Sequence, residues 1–148
     1  MSSMLRLLLV VLMLASVTAC TNRKLITPDR AVPVTLNTSK EQVKQAILST
    51  LSARKWTVES IGPDVIRAQV NVREKYSATV DIAYDANHYR INYRDSQELS
   101  YRDGKINRNY NRWVILLDRS IMRKLKGEQR DAQTERDVAE LQGTAATH

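Results

Sequence analysis

The chain has 148 residues, 23 Lys and Arg against 16 Asp and Glu for a net charge of +7, one Cys and no Phe. A lone cysteine excludes a disulfide framework and a thiolate metal site, and the length suits one modest domain. A balance this basic favours anionic partners.

Residues 1–6 carry a single positive charge, Arg6, and residues 7–14 are almost unbroken Leu, Val and Met. That run is too short to cross a bilayer as a helix, which takes about 20 apolar residues. A charged start, a short apolar middle and small residues at Ala15, Ser16, Thr18 and Ala19 describe an export signal. Val17-Thr18-Ala19-Cys20 resembles the lipobox of bacterial lipoproteins. The resemblance implies cleavage before Cys20, palmitate-type acyl chains on that residue and attachment to a membrane. Each buried methylene adds about 0.8 kcal/mol, so several chains hold firmly. Thr21 in place of Asp implies the outer membrane under Gram-negative sorting.

The expected organisation is a signal peptide over 1–19, a lipidated cysteine and extended tether over 20–37, a globular domain over 38–126 and a polar, mobile tail over 127–148. Pro28 and Pro33 favour extended backbone in the tether, which would reach on the order of 50 Å. Val32, Val34 and Leu36 alternate, so its far end is a candidate edge strand.

Thr38-Ser39-Lys40-Glu41 has the form of a capping box. Val43, Ala46, Ile47, Thr50 and Leu51 then recur at helical spacing, which predicts a helix over 39–54. From Trp56 the period is two, and a strand runs to Ile61 before the turn at Gly62-Pro63-Asp64. Ile66, Ala68, Val70 and Val72 alternate with polar residues, as do Tyr76, Ala78, Val80 and Ile82. A three-residue loop pairs Val72 with Tyr76 and Ile66 with Ile82, and puts every apolar side chain on one face. The same register sets Arg67 opposite Asp81, and a further strand alternates through Tyr89, Ile91 and Tyr93.

Residues 95–106 read as a loop or a short irregular hairpin. A second helix starts near Asn107, carries an apolar stripe of Tyr110, Trp113, Val114, Leu117, Ile121 and Leu125, and stops at Gly127. Arg108, Arg112, Arg119, Arg123 and Lys126 decorate its other side. The sum is an α+β two-layer sandwich of order α-β-β-β-β-α, a four-stranded antiparallel meander with two helices on one face.

The only histidines are His88 and His148, too few for a His-based metal site, and no phosphate loop or nucleophile elbow is present. No catalytic set, metal or cofactor is expected. Two surfaces are candidates for an anionic ligand or a partner. One is the open sheet face with Arg67, Arg90 and Arg94, whose guanidinium forks suit phosphate and carboxylate. The other is the stretch from Tyr101 to Trp113, where basic and aromatic residues interleave and Arg108 and Arg112 lie one helical turn apart.

Asn109-Tyr110-Asn111-Arg112-Trp113-Val114, with Val80-Asp81-Ile82-Ala83-Tyr84 and Tyr89-Arg90-Ile91-Asn92-Tyr93, resembles a family of small proteobacterial lipoproteins of unassigned function. The resemblance covers about residues 39–121 and implies an envelope location and a small α/β fold, but no reaction. Where relatives often carry His this chain has Asn107, which weakens an enzymatic reading. The expectation is a non-enzymatic, lipid-anchored domain that binds envelope protein, glycolipid or wall polymer, with nucleic acid excluded by export. Binding of a small anion on the sheet face and an enzyme acting on envelope substrates are the alternatives.

Overall fold

The computed structural model describes residues 22–145. The expected export signal, the expected acylation point at Cys20 and Thr21 lie outside them, as do the last three residues. Strict alternation of apolar and polar residues makes the centre of the fold a hairpin of β4 (Val65–Val72) and β5 (Tyr76–Tyr84). Its register pairs Val72 with Tyr76, Val70 with Ala78, Ala68 with Val80 and Ile66 with Ile82, with Arg67 opposite Asp81, as the alternation requires. Ile66, Ala68, Ala78, Val80 and Ile82 are fully buried on one face.

On one flank β3 (Thr57–Ile61) pairs with β4 through a register shift at Glu59. On the other flank β6 (His88–Gln97) pairs with β5. β6 runs past Arg94, because a register shift between Thr79 and Val80 leaves Arg94 unpaired and turns the following residues over.

The sheet has five strands where four were expected, the fifth being β2 (Asp29–Ala31), and their order is β2-β6-β5-β4-β3. A separate two-stranded ribbon joins β1 (Asn22–Lys24) to β7 (Lys105–Asn107). β1 and β2 both come from the segment expected to be a free tether. β2 pairs with residues 88–90 of β6, and the Pro28 carbonyl accepts from the Ile91 N–H at 2.9 Å. The edge of β6 has backbone groups to satisfy, and this segment supplies partners without any alternation of its own. Val32 is buried in the core, while Val34–Leu36, the rest of the expected edge strand, forms a 3-10 turn closed by Asn37 at φ 45°. Residues 95–106 hold the end of β6 and a tight hairpin, in which Arg102 and Lys105 exchange backbone hydrogen bonds of 2.9 Å.

Helix α1 (Lys40–Ala53) starts on a capping box one residue later than expected. Ser39 accepts from the Gln42 N–H, and the Gln42 side chain accepts from the Ser39 N–H at 2.7 Å. The Thr38 hydroxyl instead donates to the Ala86 carbonyl. Helix α2 (Arg108–Ala145) is capped by Asn107, whose Oδ1 accepts from the Asn109 N–H at 3.0 Å. Tyr110, Val114, Leu117, Ile121 and Leu125 form its buried stripe, and both helices join the sheet in a single core. Gly127 does not end α2. A glycine costs a helix only about 1 kcal/mol, and the Glu, Gln, Arg and Ala residues beyond it carry the helix on to Ala145.

Two core tyrosines differ in how their hydroxyls are satisfied. The Tyr89 hydroxyl donates to Asp118 Oδ1 at 2.8 Å, whereas the buried Tyr110 hydroxyl has no hydrogen-bond partner among the described residues. Tyr89→Phe should therefore cost about 1–2 kcal/mol of unfolding free energy, and Tyr110→Phe should be neutral or stabilising by about 1 kcal/mol. Denaturant titration of the two variants checks this, and equal losses would contradict it.

Candidate functional site

What positions the site is the fastening of residues 22–31 across α2. Asn111 is buried on the flank of the α2 stripe. Its Nδ2 donates to the Lys24 carbonyl at 2.8 Å, and its Oδ1 accepts from the Ile26 N–H at 3.0 Å. One carboxamide thus serves both an acceptor and a donor of the segment, at the end of β1 and just beyond it. Two turns further along, Asp118 is buried and accepts from Arg30 Nε at 3.0 Å, from Arg30 Nη2 at 2.7 Å and from the Tyr89 hydroxyl. Several charge-assisted bonds make a buried carboxylate tolerable. Burial and the Asp118 carboxylate together push the Tyr89 hydroxyl far above its ordinary range. The hydrogen bonds that Arg30 donates to Asp118 likewise strengthen the hold of the guanidinium on its proton.

The fastened segment and α2 enclose a groove of about 800 Å³. Arg23 and Lys24 line it from β1, and Arg108, Arg112 and Arg119 line it from α2. No acidic side chain is among its lining residues, and its floor is apolar, from Ile115, Leu116 and the 40% exposed Ile26. At Arg119 it meets a second groove of about 820 Å³, which has the Arg30–Asp118 pair at its base and Arg123, Lys126 and Arg130 along its wall. Helical spacing sets these α2 cations on one strip. Among the described residues none of Arg23, Lys24, Arg108, Arg112, Arg119, Arg123 and Lys126 is in an ion pair.

The sheet face is different. Arg67 Nε lies 2.8 Å from Asp81 Oδ1, and Arg94 Nη1 lies 2.9 Å from Asp81 Oδ2. Arg90 is 3.8 Å from Asp29, which also holds His88. The three arginines are thus each engaged with a carboxylate and do not converge on one open anion site. Burial alone would raise the Asp81 carboxyl, but the hydrogen bonds from Arg67 and Arg94 outweigh it and hold the group below its usual range. Tyr101 stacks on Tyr93 at 4.4 Å, and Tyr93 meets Tyr110 edge-on at 5.5 Å, so Tyr101 closes an aromatic stack and does not line the groove.

Of the six candidate binding residues singled out from the sequence, only Arg108 and Arg112 line the groove, while Arg67 and Arg94 meet at Asp81. Arg23 and Lys24 were hidden in the supposed tether. Arg119 was visible only as one more charge on the outer side of a helix.

Among the described residues no three His, Cys, Asp or Glu side chains gather as a metal would require. None of their helices is long and apolar enough to cross a membrane. Compared with known proteins, the chain matches no family model and no curated protein sequence.

Because the folded Asp81 carboxyl titrates below its unfolded value, its contribution to stability is present above about pH 4 and is lost as pH falls through the folded value. Asp81→Asn should cost about 1 kcal/mol or less at pH 7 and should flatten the acid limb of the stability–pH curve. An unchanged acid limb in the variant would show that Asp81 is not held by the arginines.

Proposed function

We propose that the protein is a lipoprotein of the bacterial cell envelope, anchored in the outer membrane by acyl chains on Cys20, whose basic domain binds anionic envelope components. The observation that carries this reading is the placement of the only cysteine at the end of a short apolar run, two residues before the first strand. The groove supports a binding role. It offers unpaired cations over an apolar floor, an arrangement that grips an anion with a hydrocarbon part and leaves no acid–base pair facing the cavity. The sheet-face alternative is weaker, since Arg67 and Arg94 would have to give up Asp81 to take a ligand.

Mass spectrometry of the protein made in a bacterial host tests the anchor. The expected product lacks residues 1–19 and carries acyl chains on residue 20. An intact leader with an unmodified cysteine would overturn the reading.

A further inference from the structure

We infer that the α2 groove binds the phosphate headgroups of anionic phospholipid in the membrane that holds Cys20, so that the domain lies on the bilayer surface. The membrane location rests on the lipoprotein reading above, whereas the headgroup chemistry rests on the groove alone.

Asn22 is fixed by its strand pairing to Asn107 and by a side-chain hydrogen bond to the Ser100 carbonyl at 3.1 Å. Only two residue steps separate it from Cys20, about 7 Å of extended chain. The end of the domain that carries β1 is therefore confined to the headgroup layer, and Arg23 and Lys24, the next residues along, line the groove. Charges at that depth lie within the Debye length of the membrane surface, about 8 Å at physiological ionic strength.

Arginine forks match the tetrahedral oxygens of a phosphate, and a cationic cluster without acids is drawn to an anionic leaflet. The half-buried Ile115 and Leu116 and the exposed Ile26 form an apolar floor between these cations. A headgroup that continues into glycerol and acyl chain satisfies both the rim and the floor. A free inorganic anion satisfies only the rim.

A chain of residues 21–148 carries no acyl group and keeps the whole core, since every fully packed apolar side chain lies between Val32 and Leu125. At about 0.15 M salt it should sediment with vesicles of phosphatidylglycerol and phosphatidylethanolamine at least about tenfold more strongly than with phosphatidylcholine vesicles. The quadruple change Arg23→Ser, Lys24→Ser, Arg108→Ser, Arg112→Ser should remove at least about tenfold of that binding. The double change Arg108→Ser, Arg112→Ser, confined to exposed positions of α2, should remove part of it. Neutralising Lys55, Arg73 and Lys75, which do not line the groove, should change it less than about twofold.

Equal sedimentation with both vesicle types, or an undiminished quadruple variant, would overturn the inference. So would a control variant that loses as much, or complete displacement by inorganic phosphate at constant ionic strength, which would make the ligand a small anion. The assay does not involve residue 20. An unacylated Cys20 would therefore refute the anchor without altering these results, and failure here would leave the anchor standing.

Discussion

Asp118 carries a buried charge on the flank of α2, and it is stable there only because the Arg30 fork and the Tyr89 hydroxyl close around it. Those three residues come from α2, β2 and β6, so one carboxylate ties the N-terminal segment, the sheet and the long helix together. Removal of either partner would leave a charge or a hydroxyl in a place water reaches poorly, and such losses exceed the net worth of the bond itself. Asn111 repeats the device in neutral form two turns earlier. The segment 22–31 is short of apolar residues and could not hold its position by burial. It is held by polar groups that α2 presents at the right intervals.

The molecule deploys its arginines in two opposite ways. On the sheet, neighbouring strands set Arg67 and Arg94 around Asp81, which cancels the charge and settles the wet face locally. Such exposed pairs contribute little to stability, but they remove cations from service. Along α2 the cations are left unbalanced, and the fastened segment adds Arg23 and Lys24 to them. A run of cations without ion-pair partners is thus gathered along α2 and the segment fastened to it.

How much of this was legible in the sequence depended on whether burial or polar geometry was in control. The β4–β5 hairpin was readable to the residue, because a one-step slip would expose Ile66, Ala68, Val80 and Ile82 together. Both helices began where capping residues stood, although Ser39 outcompeted Thr38 for the first cap. β1 and β2 were not readable. They lack alternation, lie beside Pro28, and exist because β6 and β7 had open edges. Asp118 was equally opaque, since a lone acid beside an apolar stripe gives no sign that an arginine 88 positions away will reach it. The site inherited this limit, since a third of the groove lining, Arg23, Lys24 and Ile26, belongs to the segment whose folding leaves no periodic trace.

The extension of α2 past Gly127 has a mechanical consequence. Among the described side chains Leu125 is the last of the helix in the core, and the backbone continues from there to Ala145, about 30 Å further along the axis. Bonds such as that from Gln133 to Asp137 support this stretch locally. A methyl group on Gly127 would touch nothing within 4 Å, although residues 127–129 are still half-buried. The helix is a cantilever clamped at one end. Its described side chains from 130 to 140 are almost all exposed, so a reporter fused near its far end should leave the core packing untouched.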